Sequence, residues 1–368
     1  MFTVRTFLKQ EPVLIIAAAA AVISCFFVPP DSAYLQYIDW RTLALLYCLM
    51  TVVSGLRKAG VFAHLSHTLC EKATNVRALG IMLVLLCFFS AMLITNDVAL
   101  LTFVPFAIVV LGMVGHPEAL IHVVVLQTAA ANLGSMLTPV GNPQNLYLYT
   151  HYDFSFRQFL LTTFPCWLLS LVMILALCFL LLPSAHADPF LGEEPGLDLK
   201  RLLIHSALFL VCLLTVLRII SWPIMLSAII ITLLLLDRKT LRDADFLLLL
   251  TFVAFFVFSG NLARIGAVDA FLKQMLQGKE FLTAAVTSQA ISNVPAALLL
   301  SGFTSHAREL LLGVNIGGLG TPIASLASLI SMKLYSHASG ANTGKYLLWF
   351  TAVNVLLLII LAFSVLLS

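Results

Sequence analysis

The sequence predicts an all-α polytopic membrane protein of inverted-topology repeats, with about nine transmembrane helices, two re-entrant helical hairpins and two unwound helices. Three observations predict it. First, 61% of the 368 residues are hydrophobic and only 10% are charged, against roughly 25% charged in soluble domains; the mean hydropathy is +1.04. Such a chain is not a soluble enzyme, a disulfide scaffold or a disordered protein. Second, the apolar residues come as long blocks free of Asp, Glu, Lys and Arg, not as the alternating ten-residue segments of a β-barrel. Third, the polarity left inside the blocks gathers at four breaks, in the same order in two halves.

A spanning helix needs about 20 largely apolar residues. Full spans are expected at 12–30, 42–56, 119–150, 158–187, 202–217, 219–236, 246–263, 310–332 and 346–368. The first follows Arg5 and Lys9 as a signal peptide would, but Val28-Pro29-Pro30-Asp31 is a poor cleavage site, so a retained helix is expected. Blocks 78–96 and 98–115 meet at Thr95-Asn96-Asp97 and read as a hairpin, although each arm is long enough for a span of its own. Block 281–307 is interrupted at Ser292-Asn293-Val294-Pro295, leaving too few residues before the break for a crossing. With this count, thirteen of the 20 Lys and Arg lie on the side of the N-terminus. The positive-inside rule then places the N-terminus in the cytoplasm and the C-terminus outside a plasma or inner cell membrane.

The two halves resemble each other. Residues 1–182 form the first membrane repeat, with its hairpin at 78–115 and its unwound helix at 119–149. Residues 183–200, rich in Pro, Gly and acids, form a cytoplasmic linker. Residues 201–368 form the second repeat, with its hairpin at 281–304 and its unwound helix at 309–335. Ser54-Gly55 and Ser259-Gly260 each end a span. Each is followed by a short polar segment, carrying Glu71 and Lys72 or Asp269 and Lys273, that reads as an interfacial helix. Asn132-Leu133-Gly134-Ser135-Met136-Leu137-Thr138-Pro139 aligns without gaps on Asn315-Ile316-Gly317-Gly318-Leu319-Gly320-Thr321-Pro322. Ser54 falls at the cytoplasmic end of its span and Ser259 at the outer end, so the halves are inverted, as in secondary transporters with a midplane site.

The breaks carry the chemistry. Non-helical backbone inside a bilayer is tolerated only where protein or a wet cavity receives it. Thr95-Asn96 before Asp97, Ser292-Asn293 before Pro295, Thr138-Pro139 and Thr321-Pro322 all read as helix starts, with a capping residue and, in three of them, a Pro in the first turn. Four helix N-termini facing one cavity would suit an anion, while freed carbonyls and Thr, Ser and Asn oxygens could hold Na⁺. Asp97 is the one carboxylate placed inside the membrane. It either coordinates a coupling ion, carries a proton, or stabilises its own helix N-terminus. Asn142, Gln144 and Asn145 match Ser325, Ala327 and Ser328 in the other half; they either line the site or satisfy backbone opened by Gly141 and Pro143. The candidate substrate- and ion-binding residues are thus Thr95, Asn96, Asp97, Asn132, Thr138, Asn142, Ser292, Asn293, Asn315 and Thr321, with Na⁺ assigned to Asn96, Asp97 and Asn293. No catalytic residue, metal or cofactor beyond a coupling Na⁺ or H⁺ is expected.

Other polar residues read more simply. The net charge of +3 is too small and dispersed for nucleic acid. The seven cysteines show no C-x-x-C and read as packing residues. His64 and His67 lack a third ligand nearby and are expected on a solvated face; His122 is expected to pack. An intramembrane enzyme would need a nucleophile–base pair or metal cluster in the spans, and none is recognisable.

At these residues the chain resembles a known family. Asn96-Asp97 with Leu101 and Pro105, Asn293-Val294-Pro295-Ala296-Ala297-Leu298, and Thr321-Pro322-Ile323-Ala324-Ser325-Leu326-Ala327-Ser328-Leu329 look like the arsenite permease branch of the ion transporter superfamily. That superfamily includes citrate–metal permeases, sodium–dicarboxylate symporters and sodium/proton antiporters. Thr95-Asn96-Asp97 and Ser292-Asn293-Val294 stand where the dicarboxylate carriers have Ser-Asn-Thr hairpin tips, with Asp97 and Val294 in place of the final Thr. Gly141-Asn142-Pro143-Gln144-Asn145 resembles their Pro-Pro-Asn element. The resemblance implies a homodimeric, inverted-repeat carrier in the lipid bilayer, moving a small inorganic or organic anion with Na⁺ or H⁺. No cysteine stands at a break to capture arsenite. A second reading is a sodium/proton antiporter with Asp97 as its titrating carboxylate.

Overall fold

The computed structural model describes residues 12–70, 73, 75–186 and 195–367. Among them the chain is helical, with one isolated bridge between Asn75 and His186 and no named strand. The helices are α1 (Pro12–Cys25), α2 (Tyr34–Tyr37), α3 (Trp40–Lys58), α4 (Val61–Cys70), α5 (Val76–Ile94), α6 (Asn96–Met113), α7 (Leu120–Gly134), α8 (Pro143–His151), α9 (Phe156–Leu181), α10 (Leu199–Val216), α11 (Trp222–Leu236), α12 (Phe246–Arg264), α13 (Gly266–Leu276), α14 (Glu280–Ile291), α15 (Asn293–Leu300), α16 (Ala307–Ile316), α17 (Leu326–Ser336) and α18 (Thr343–Leu366). The order α3 to α9 recurs as α12 to α18: a long helix, a short one, a two-armed hairpin, a broken helix and a long closing helix.

Length sorts these helices. Seven described helices are long and apolar enough to cross a membrane, or eight if α3 and the start of α4, bent by 53°, count as one crossing. Five of the nine expected full spans are among these seven, the other two being the hairpin arms Val76–Ile94 and Asn96–Met113; several of the remaining blocks are helical over only part of their length. Block 12–30 is helical to Cys25 and block 219–236 only from Trp222. The two hairpins also differ. Arms α5 and α6 have 19 and 18 residues, about 28 and 27 Å at 1.5 Å per residue, which is close to the ~30 Å hydrocarbon core. Arms α14 and α15 have 12 and 8, about 18 and 12 Å, and do not reach across.

Packing places the breaks at the centre. Helix α7 is wrapped by α5, α6, α9, α17 and α18, and every residue from Val123 to Gly134 is buried. Its end approaches the first hairpin closely: a Cβ on Gly134 would lie 2.0 Å from the Phe88 carbonyl oxygen. In the other half, a Cβ on Gly317 would lie 2.7 Å from Cα of Ala285. Phe88 and Ala285 each stand seven residues before their hairpin tip, Thr95 or Ser292. The glycines aligned by sequence therefore do the same job, letting each broken helix touch the backbone of its own hairpin.

At the periphery, α1 packs on α12 of the opposite half. Asn261 on α12 donates to Ser24 Oγ (2.9 Å) and Tyr34 Oη (2.8 Å), and Arg264 pairs with Asp31 at 2.9 Å. Helix α4 occupies the place expected of an interfacial segment. His67 on it is buried rather than solvated, because the helix folds back against α5 and α6. Arg5, Lys9, Glu71, Lys72 and the linker acids Asp188, Glu193 and Glu194 lie outside the described residues.

Gly134→Ala tests the close approach at the break. Overpacking of this kind costs about 1–3 kcal/mol, so the variant should unfold at lower temperature in detergent. An unchanged melting temperature would contradict backbone contact at Phe88.

Candidate functional site

The site starts from two hairpin tips with one backbone geometry. Thr95 has φ 71° and ψ 151°, and Ser292 has φ 74° and ψ 154°. This region is essentially a glycine preserve and costs a non-glycine residue on the order of 1–3 kcal/mol. Both halves bear that cost at the residue between their hairpin arms. Past the strained residue, Asn96 and Asn293 open the second arms, each 4% exposed. Thr95 accepts a hydrogen bond from the Val98 N–H at 3.5 Å, as a cap should. Ser292 makes no side-chain cap; its hydroxyl turns to the Ala324 carbonyl (3.4 Å) and Asn293 Oδ1 (3.5 Å).

The two threonines of the Thr-Pro pairs brace the hairpins, and Thr138 Oγ1 also accepts from the Gly141 N–H at 3.1 Å. Thr138 Oγ1 donates to the Met92 carbonyl, and Thr321 Oγ1 to the Gln289 carbonyl at 3.3 Å. Met92 and Gln289 each lie three residues before their tip, so one bond is made twice. Helix does not resume at Pro139. It resumes at Pro143, with Asn142 at the N-cap, and correspondingly at Leu326 with Ser325 at the N-cap, after a short 3₁₀ turn at Pro322–Ala324. The four helix starts near the breaks are therefore Asn96, Pro143, Asn293 and Leu326.

Across the two halves the amides interlock. Asn132 Oδ1 accepts from Ser325 Oγ (3.0 Å), and its Nδ2 donates to Ser328 Oγ (3.3 Å). Asn315 Oδ1 accepts from Asn142 Nδ2 (3.5 Å), and its Nδ2 donates to Asn145 Oδ1 (2.7 Å). Asn142 and Asn145 align with Ser325 and Ser328, so each broken-helix Asn grips the same two positions of the other half with the same atoms. The first tip joins directly, because Asn96 Nδ2 donates to Asn132 Oδ1 at 2.9 Å. Asn145 also donates to the carbonyls of Ser135, Met136 and Thr138, at 3.2, 3.4 and 3.2 Å. For Asn145, then, the reading in which an amide satisfies opened backbone is the one the structure favours.

A cavity of about 210 Å³ reaches the first tip; Thr95, Asp97 and Asn142 line it, together with Ser54, Arg57, Asp243 and Asp245. Asp97 Oδ1 and Asn142 Oδ1 are buried without a hydrogen-bond partner. Such an atom, if nothing met it, would bear a desolvation cost of about 1–3 kcal/mol, so both are oxygens suited to receive a cation or a donor group. Arg57 brings a guanidinium to the same space. Asn96, Asn132, Thr138 and Asn315 lie behind this wall as its supports. Ser292, Asn293 and Thr321 are not part of its lining; they are packed on the second broken helix, where Asn293 Nδ2 lies close beside Gly318. One cavity therefore does not receive all four helix starts in this conformation.

Sequence reading missed three contributors. Gln289 donates to the carbonyls of Gly317 (2.7 Å) and Leu319 (2.9 Å) and accepts from the Thr321 N–H (2.9 Å), holding the second break open. Its signal was a lone amide in an apolar hairpin arm. Asp243 and Asp245 read as loop charges, and only folding brings them to the cavity. The interlock has a direct test. A double-mutant cycle of Asn315→Ala and Asn145→Ala should show a coupling of about 0.5–1.5 kcal/mol in thermal unfolding; additive losses would mean that the two amides do not bond.

Comparison with known proteins agrees with this architecture. A family model described as "Citrate transporter" matches residues 7–311. An uncharacterized transporter of Methanocaldococcus jannaschii, MJ0456, is 30% identical over 328 residues, 88% of each chain. The inner membrane protein YbiR of Escherichia coli K12 is 30% identical over 348 residues, 91% of this chain and 92% of its own. The silicon efflux transporter LSI3 of Oryza sativa subsp. japonica is 32% identical over 166 residues, 44% of this chain and 34% of its own. With several helices fit to cross a membrane and a family match over most of its length, this chain belongs to the citrate transporter family and is a multi-pass membrane transporter rather than an enzyme.

Proposed function

We propose that this transporter moves a small inorganic or organic anion together with Na⁺ or H⁺, by alternating access around a site between its two repeats. The observation that carries the reading is the paired construction: two hairpin tips with the same strained backbone, each braced on its own broken helix, and the two assemblies joined by matching amide grips. A channel has no need of two such units. Thr95, Asp97 and Asn142 supply oxygens for the coupling ion, and the Arg57 guanidinium supplies the anion donor. Citrate, for which the family is named, is a small carboxylate anion, and one relative is named for silicon. Both are consistent with a small, strongly hydrated solute.

Reconstitution in liposomes tests this. A panel of carboxylates and oxyanions, with citrate and silicic acid included, is offered under an inward Na⁺ or proton gradient. Accumulation of one member that depends on the gradient is expected, and Asn96→Ala and Asn293→Ala should each reduce it by at least about tenfold. If both variants transport at the wild-type rate, the site assignment fails; if no solute follows either gradient, coupled transport fails.

A second reading rests on the unpartnered Asp97 Oδ1 in the cavity wall. In it the protein exchanges Na⁺ for H⁺, and Asp97 carries each in turn. Asp97→Asn should then abolish pH-dependent Na⁺ movement in the same liposomes. Continued exchange by that variant would falsify it.

A further inference from the structure

The loop between α11 and α12 carries a second cavity, of about 510 Å³, lined by Leu234, Arg238, Lys239, Leu241 and Arg242. Three of its five wall residues are cations, and all three are exposed. The carboxylates of the same loop are already engaged elsewhere. Asp237 pairs with Arg201 at 3.5 Å, Asp243 pairs with Lys58 at 2.5 Å and accepts from Ser54 at 3.0 Å, and Asp245 accepts from the Leu248 N–H at 2.9 Å. Among the described residues, the Arg238, Lys239 and Arg242 side chains have no ion pair or hydrogen bond.

The loop holds these charges in a fixed arrangement. Lys239 is the N-cap and Arg242 the last residue of a 3₁₀ turn, Thr240–Arg242. Residues three apart eclipse in such a turn, so the two cations stand on one side of it. The turn is tied down by the buried Thr240 and by the bond from Tyr47 Oη to the Leu241 carbonyl at 3.2 Å. The apolar side of the cavity continues onto the outer surface of α11, where Leu234, Leu235 and Leu236 are 55%, 78% and 54% exposed.

We propose that Arg238, Lys239 and Arg242 bind the phosphate of an anionic lipid headgroup, with the acyl chains lying along the exposed leucines at the end of α11. Guanidinium forks and an ammonium match phosphate oxygens, and basic pockets at the ends of membrane helices suit such headgroups. The leucines decide between sources: a free phosphate ion gains nothing from them, whereas a lipid buries its chains on them. Nothing in this site belongs to the cavity at Asp97, so the two assignments stand or fall separately.

The test uses the full-length protein, delipidated in detergent and titrated with phosphatidylglycerol or with phosphatidylcholine of the same chains, bound lipid being counted by native mass spectrometry. Wild-type protein should retain phosphatidylglycerol over phosphatidylcholine. Each cation near an anionic surface is worth roughly fivefold, so R238Q/K239Q/R242Q should weaken phosphatidylglycerol binding on the order of a hundredfold. The charge-keeping R238K/R242K variant should stay within a few-fold of wild type, which separates loss of charge from loss of fold. Equal retention by the triple variant, or equal binding of the two lipids, overturns the proposal. Displacement of the lipid by inorganic phosphate at the same concentration also overturns it, since the site would then hold a free anion.

Discussion

Two broken helices in a membrane interior need somewhere to put their polarity, and the interlocked amides provide it. Asn132 holds Ser325 and Ser328, and Asn315 holds Asn142 and Asn145. Each of these side chains is buried, at 3% exposure or less. A buried amide without partners costs more than its bonds return, so neither half is well satisfied without the other. The rest of the architecture follows. The hairpins pack where the breaks are, the glycines at 134 and 317 permit backbone contact there, and α7 is surrounded by protein while most long helices face lipid.

The same grip explains why the halves are similar without being equal. The first break is fixed by amides, Asn142 and Asn145, and the second by hydroxyls, Ser325 and Ser328. An amide has two donors, and Asn145 spends its surplus on three carbonyls of its own broken segment. Serine has no such reach, and in the second half Gln289 of the hairpin arm takes over that task. This cavity reaches the first tip, where Asp97 stands at the position that Val294 holds in the second, and the second tip does not line it; Val294 is 6% exposed within the core. Strain is shared evenly, since Thr95 and Ser292 adopt the same conformation. At the tips, therefore, the asymmetry lies in the chemistry of the wall and not in the backbone conformation, although the arms that carry them differ in length.

Much of the fold was legible in the chain because a bilayer leaves few choices. Long apolar blocks become helices, and the residues that interrupt them become breaks, since unsatisfied backbone is too costly there. The eight-residue match from Asn132 and Asn315 carried the repeat, and both asparagines occupy matching places in the structure. What failed were local rules applied one residue too simply. Thr138-Pro139 looks like a capped helix start; the Thr138 hydroxyl does accept from the Gly141 N–H, but it also donates to the Met92 carbonyl, and the helix resumes only four residues later at Pro143. Ser292 looks like a cap and serves as a tie. His67 looks solvated and is buried by the fold of α4 against the hairpin. In each case packing against an element distant in sequence decided the outcome.

The sequence by itself determined the membrane fold, the number and order of the breaks, and the residue types gathered at them. These follow from composition and period, which act along the chain. Tertiary structure alone decided which polar atoms are spent and which remain free. It turned Asn132 and Asn315 into supports, left Asp97 Oδ1 and Asn142 Oδ1 buried without a hydrogen bond in residues that line a cavity, brought Asp243 and Asp245 to that cavity, and left Arg238, Lys239 and Arg242 without partners among the described residues. Whether a hydrogen-bonding group is satisfied depends on atoms hundreds of residues away, and no local pattern encodes that.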